Sequence, residues 1–320
     1  MAKLQSTEIE GVANRPVTIC SNATCLWFNT TNLRPVISYC RNVGSWSAGG
    51  ALITARRLLA GAGTQNEGLA AGGFSTTQVS CTEEYNGTSW SAGGAMITAR
   101  YSLTGEGTQN EGLVMGGLTN IVLSCTEEYN GTSWSAGGAL IVARQNLAGA
   151  GTQNLGLAMG GSCLGTNFAC TEEYNGTSWS AGGGLLLARS CIGGAGSQNA
   201  GLAVGGTSSA GTINCTEEYD GTSWSVASKT IINDRSSAAA AGTQNEAFAT
   251  AGKSVYCNFT EEYNGTSWSI GGTVISPRDQ GMPGAGSQNA GLIMGGGISN
   301  TCFACTEEYS KTLLIVDCYL

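Results

Sequence analysis

The chain has 320 residues with 50 Gly, 13 Cys, no His and a formal charge of −8. Gly stands at about twice ordinary usage and charged residues, at 11%, below half the usual share; Gly at no fixed third position excludes collagen, and regularly placed Trp and Tyr oppose disorder. Without His there is no Ser-His-Asp or Cys-His nucleophile and no His-ligated zinc, copper or haem, and 14 Lys and Arg against 22 Asp and Glu leave no basic face for phosphates.

The first element is the segment 1–14. It has no apolar core of a secretory signal, and no run of about 18 apolar residues follows anywhere to span a membrane. The expectation is a chain made in a cytoplasm, with no nucleic-acid partner and no membrane insertion. Residues 15–46 hold three plausible strands, around Val17, Leu26 and Ile37, and end on Trp46. They read as an eroded first unit, because Arg15 to Trp46 resembles the Arg-to-Trp span of the units that follow.

From residue 47 a single pattern repeats. Trp46, Trp90, Trp134, Trp179, Trp224 and Trp268 are 44, 44, 45, 45 and 44 residues apart. Arg56, Arg100, Arg144, Arg189, Arg235 and Arg278 recur with them, as does C-T-E-E-Y-N-G-T-S-W. Variation concentrates in residues 74–80, 118–124, 162–169, 207–214, 253–259 and 297–304. In one repeat, residues 58–64 and 67–72 read as a Gly/Ala-rich hairpin around Gln65-Asn66. Residues 82–85 and 88–91 read as a second hairpin, with a two-residue turn at Asn86-Gly87. That turn predicts Tyr85 opposite Thr88 and Glu83 opposite Trp90. The face with Cys81, Glu83, Tyr85 and Trp90 should be the more buried. Gly inside a strand marks close approach of another backbone, as six such strands around one axis would require.

Four short antiparallel strands every 44 residues or so are the signature of a propeller blade. The fold class is therefore all-β, a β-propeller of four-stranded antiparallel blades. Seven blades are favoured, counting 15–46 as the first and 47–320 as six repeats; six blades plus an N-terminal attachment is the alternative. In the last repeat Ser310-Lys311 replaces Asn-Gly, and Leu314 takes the Trp position.

Arg56 before the inner strand, Gly72-Gly73 ending the second, Glu84-Tyr85 in the third and Trp90 in the fourth together resemble the Kelch family. Ala251-Gly252 departs from the Gly-Gly doublet. Cys25-Leu26-Trp27-Phe28-Asn29-Thr30-Thr31, followed by Tyr39 and Gly44-Ser45-Trp46, resembles the L-W-Y-N-T-T … Y … G-x-W segment of tail-fibre and other virion proteins of tailed bacteriophages. The insertion of Arg34-Pro35 and two cysteines departs from it. The resemblance implies a virion appendage protein.

The carboxylate doublets, Glu83-Glu84 and its five copies, invite a glycosidase reading. Neighbours on a strand point to opposite faces, so no doublet can aim both carboxyls at one bond. The expected roles are a pair with a blade Arg for one Glu and a link to the next blade, or solvation, for the other. Cys81, Cys125, Cys170, Cys215 and Cys305 sit on successive sheets about 10 Å apart, too far for disulfides; they read as small buried hydrophobes. Cys302 and Cys305 have C-x-x-C spacing without the second pair or His that zinc needs. Asn-Gly-Thr at Asn86, Asn130, Asn175 and Asn264 reads as turns rather than glycosylation sites.

The repeated Arg and Trp residues are thus assigned to the scaffold, and binding to the variable segments. The candidates are Phe74, Thr76, Gln78, Leu118, Asn120, Asn167, Phe168, Ser208, Lys253, Tyr256, Asn300 and Phe303. The expected function is non-enzymatic: a structural or interaction protein of a phage virion, binding a host surface glycan or receptor or a neighbouring virion protein. Homo-oligomerisation is open, and no catalytic residue, metal or cofactor is expected. The alternatives are an intracellular Kelch-type adaptor, hence a cytoplasmic location, and a propeller glycan hydrolase.

Overall fold

The computed structural model describes residues 19–21, 24–28, 35–253 and 258–319. Two compact units divide the chain: Ser45–Ser310, and Met1–Gly44 with Lys311–Leu320. In the second, Ile19–Ser21 pairs antiparallel with Thr24–Phe28, which pairs with the start of Pro35–Ala48. The strands expected around Leu26 and Ile37 are these last two. The one around Val17 lies outside the described residues.

The first unit is a β-propeller with six blades among the described residues. Blade 1 takes Ala60–Gly63, Gly68–Ala71, Thr82–Tyr85 and Trp90–Ala92 from axis to rim, all antiparallel. The next four blades repeat this order. In blade 1 both hairpins close through four residues, whereas in blades 3 and 4 the inner hairpin closes through two, with Thr152 facing Leu155 and Ser197 facing Ala200, as expected around Gln-Asn. Gly63 faces Gly68 and Tyr85 faces Trp90, so the register expected from a two-residue Asn-Gly turn is shifted. The cause is the Asn86 side chain: Oδ1 accepts the backbone N–H of Thr88 at 3.0 Å and of Ser89 at 2.9 Å. This Asx turn leaves only Gly87, at φ 88°, in the left-handed region. Asp220 does the same in blade 4, and the N–H donors of Ser223 and Thr222, with the Thr222 hydroxyl, pull its carboxyl down to about 2.

The count of six corrects the favoured seven. Trp46 belongs to the sixth blade, because the strand ending at Ala48 is hydrogen-bonded to Thr306–Tyr319. Its ring lies 4.9 Å from Tyr309, as Trp90 lies 4.9 Å from Tyr85. Its Nε1 donates to Thr260 of blade 5 at 2.7 Å, as Trp90 donates to Thr306 of blade 6. Lacking Asn-Gly, the strand Thr306–Tyr319 runs straight through Ser310-Lys311, so Leu314 does not fill the Trp position. The missing rim strand comes from the N-terminal side instead.

The core is six wedges between neighbouring blades. One wedge packs Ala60, Leu69 and Ala71 of blade 1 against Val114, Tyr129 and Trp134 of blade 2. Each blade is covered on both sides, so Thr82, expected on the more open face, is buried with Glu83. Near the axis the inner strands touch backbone to backbone: a Cβ on Gly194 would sit 2.6 Å from the Gly149 carbonyl oxygen. At one end of the axis Leu58, Ser102, Asn146, Cys191 and Ser237 all adopt φ of 54–55°, with Gly281 at 47°. Five of the six backbone links between them are hydrogen bonds: Ser102 N–H to Leu58 O at 2.8 Å, Asn146 to Ser102 at 2.9 Å, Cys191 to Asn146 and Ser237 to Cys191 at 2.8 Å, and Leu58 N–H to Gly281 O at 2.7 Å. Left-handed non-Gly residues cost on the order of 1–3 kcal/mol each and persist only where neighbours over-determine them; here each is fixed by the blade on either side. This collar borders an axial cavity of about 110 Å³.

Candidate interaction face

The repeated Arg, Glu, Tyr, Trp and Gln side chains have structural partners. In blade 1 the buried Glu83 takes the Arg56 guanidinium and the backbone N–H groups of Ile53 and Thr54. Its neighbour Glu84 accepts the Tyr129 hydroxyl of blade 2 at 2.5 Å. Burial, with the Glu84 contact adding to it, pushes that phenol up to about 12. Gln109 of blade 2 donates to the Gly68 and Tyr85 carbonyls of blade 1. The cysteines expected to be buried hydrophobes are half-exposed instead, and Cys170 Sγ accepts from Arg144 Nη1 at 3.0 Å. No group of three His, Cys, Asp or Glu suited to a metal ion occurs among the described residues.

One repeated position breaks the pattern. Where five blades carry Ala62, Ala150, Ala195, Ala241 and Ala285, blade 2 carries Glu106. Its carboxyl lies against Gly149 and Gly156 of blade 3, and neither oxygen makes a hydrogen bond of good geometry, the Leu157 and Ala150 N–H groups being near but poorly placed. Burial holds this carboxyl well above its ordinary 4.5, the N–H groups of Leu157 and Ala150 offsetting part of the rise. The folded chain therefore binds the proton more tightly than the unfolded one. The stabilising contribution of that proton is complete below about pH 4.5 and is lost as pH rises through the folded value. Glu106→Ala is expected to stabilise the protein at neutral pH by about 1–3 kcal/mol, the cost of an unsatisfied buried polar group. Thermal melts from pH 4 to 9 should show the gap between variant and wild type widening with pH; a constant gap would contradict this account.

Strand direction puts the variable segments on one face. Inner strands begin, and second strands end, on the side where the rim-to-axis connections cross. The tight turns occupy the opposite side, with exposed Glu67, Glu111, Asp220 and Glu246. Thr76, Asn120, Lys253 and Asn300 are exposed on the variable face; Phe74, Gln78, Leu118, Asn167, Phe168 and Phe303 are half-buried. Ser208 is buried, its hydroxyl engaged within its own hairpin. Tyr256 lies outside the described residues. Asn167 donates to the Thr207 carbonyl of the next blade, and the Phe303 backbone carbonyl accepts from Arg56.

Of these candidates Phe74 and Asn300 are brought together, through a residue that segment-by-segment reading misses. Arg57 donates to Gln280 Oε1 and, at 2.9 Å, to Asn300 Oδ1. Its guanidinium carbon lies 5.4 Å from the Phe74 ring centre, and Phe74 meets Tyr101 edge-on at 5.3 Å. Arg57, Tyr101, Gln145, Ser190, Ser236 and Gln280 each bridge to a variable segment, so a second variable ring lies inside the first. Its signal is in the sequence only in part: the residue after the repeated Arg is Arg57, Tyr101, Gln145, Ser190 and Ser236 in blades 1 to 5, whereas in blade 6 Asp279 intervenes before Gln280. The same face exposes one aliphatic side chain per blade, Ile53, Ile97, Ile141, Leu186, Ile232 and Ile275, at 51–62%.

No family model matches the chain, and no curated protein is similar enough to match. Among solved structures the propeller YjhT is similar, with a TM-score of 0.68 at 11% identity over 83% of this chain and 99% of that one. At that identity the likeness establishes the fold alone.

Proposed function

We propose that this is a non-enzymatic, Kelch-like interaction protein of a phage virion, in the tail fibre or another appendage, whose variable face binds a host surface glycan or a neighbouring virion protein. The observation that carries the interaction role is the separation of the two residue classes. Repeated side chains are consumed by bonds within and between blades, whereas side chains that differ gather with the exposed aliphatic ring on one face. Loops on a fixed scaffold are where specificity can change without loss of stability. The assignment to a virion rests on the phage-like segment 25–46. Immunogold labelling of purified particles of the encoding phage is expected to decorate an appendage; particles free of the protein would sink the assignment.

A further inference from the structure

We propose that the sector built by Arg57, Phe74, Tyr101, Gln280 and Asn300 is a binding site for a carboxylate-bearing saccharide. This deepens, and rests on, the reading of the variable face as a glycan-binding surface.

The sector stands out first by charge. The six repeated arginines are each paired with a buried carboxylate. Arg57 has no carboxylate partner among the described residues; its bonds go to the neutral amide oxygens of Gln280 and Asn300. Those bonds use Nη1. Nε is buried without a partner, and Nη2 makes no hydrogen bond among the described residues. The amides orient the guanidinium without neutralising it, in a chain whose net charge is −8. Nη2 is thus the donor left for an anion, and the planar, weakly hydrated guanidinium pairs with a carboxylate more readily than an ammonium does.

Shape is the second distinction. Around the inner variable ring, blades 3 to 5 contribute Gln145, Ser162, Ser190, Thr207 and Ser236, small or neutral polar groups, with one exposed cation, Lys253, opposite Ser236 and no aromatic ring beside it at these positions. Among the described residues at these ring positions, the aromatic side chains are Phe74 and Tyr101, both half-buried and both beside Arg57. Opposite Gln280 the ring position is Gly297, where the Thr301 carbonyl oxygen, 2.2 Å from any Cβ, excludes a side chain, so the arginine stem passes beside a residue with none. An apolar ring face beside a fixed cation and two amides suits a sugar, whose C–H face lies on the aromatics while its carboxylate meets the guanidinium. An acidic peptide would use the guanidinium but has less use for the rings.

The test is calorimetric titration of the full chain with a panel of uronate oligosaccharides, each beside its carboxyl-reduced neutral counterpart, and with an oligoglutamate peptide. The expected result is binding of at least one uronate, at least tenfold tighter than its neutral counterpart and tighter than the peptide. Arg57→Ala should weaken it at least tenfold, Phe74→Ala severalfold, and Lys253→Ala not at all. Arg57 is half-buried and lies outside the hydrophobic wedges, so its variant should fold, and its melting temperature measured beside the wild type separates lost binding from lost folding. Equal binding of a neutral counterpart, unchanged affinity in Arg57→Ala, tighter binding of the peptide, or no uronate bound would each overturn the proposal. Neutral saccharides bound independently of Arg57 would leave the glycan-binding reading standing, whereas no saccharide bound at all would remove both.

Discussion

Trp46→Ala is expected to destabilise the protein more than Trp134→Ala, although both indoles are 7% exposed and both donate Nε1 to a threonine of the preceding blade. Removing either leaves a cavity, at about 3–5 kcal/mol. The difference lies in connectivity. Trp134 sits on a strand joined to its own blade by a four-residue turn, so truncation leaves that strand tethered. Trp46 holds the rim strand of blade 6 to a partner some 260 residues away, where Ser47 bonds to Glu308 across 261 positions. The stability of an array of repeats comes largely from contacts between neighbours, and this strand completes the cycle. Loosening it opens the ring and bares the edge of Thr306–Ser310 for pairing with other chains. Denaturant titration of the two variants, with amide exchange followed in blade 6, should show the larger loss and the loss of protection there for Trp46→Ala. Equal losses without local exchange would mean that the ring does not depend on this closure.

The second large effect is at the buried ion pairs. Glu172→Ala in blade 3 is expected to cost about 3–5 kcal/mol, because it leaves a buried guanidinium without its counter-charge. Arg144 Nη2 lies 3.0 Å from Glu172 Oε1 with side-chain exposures of 0% and 2%, and burial already lowers the arginine from its ordinary value. The same carboxylate accepts the N–H groups of Ile141 at 2.7 Å and Val142 at 3.2 Å. The variant therefore also frees the connection that carries the exposed Ile141. A double variant, Arg144→Met with Glu172→Leu, removes both charges and should recover part of the loss, since isosteric apolar replacement of a buried pair is often neutral or better. Recovery should remain incomplete: the Ile141 and Val142 N–H groups, and the Gly160 and Cys170 carbonyls bonded by Arg144, lose their partners. Thermal melts would show a fall of roughly 10 °C for the single variant. A double variant no better than the single would show that these backbone bonds, not the charges, carry the stability.

The repeat made the four-stranded blade legible because each element is local: a Gly/Ala hairpin, a Thr-Glu-Glu-Tyr strand and an Asn-Gly turn all lie within about 44 residues. The Gln-Asn hairpin keeps its expected two-residue length in blades 3 and 4, but the Asn-Gly turn was read in the right place with the wrong length, since its composition does not reveal that Asn86 Oδ1 will accept two backbone donors. The number of blades was not legible. Trp46 carries the repeat's own motif, and nothing local distinguishes the end of one unit from the rim of another that begins 260 positions later. The candidate site divides in the same way. Phe74 and Asn300 were found from the variable segments, whereas Arg57 and Tyr101 directly follow a repeated arginine, and Gln280 follows one at two positions, so all three were hidden by it. Glu106 could have been read as the odd member of an alanine column, but not as a carboxyl without a partner, because its surroundings belong to the next blade.

What the sequence by itself determined is therefore the blade, its strand order and the residues that must not vary, all consequences of short-range periodicity. Only the tertiary structure decided the closure by Trp46, the count of six and the gathering of Arg57, Phe74 and Asn300. Those depend on which distant segments become neighbours when six wedge-shaped blades meet around one axis, a geometric condition that no single repeat contains.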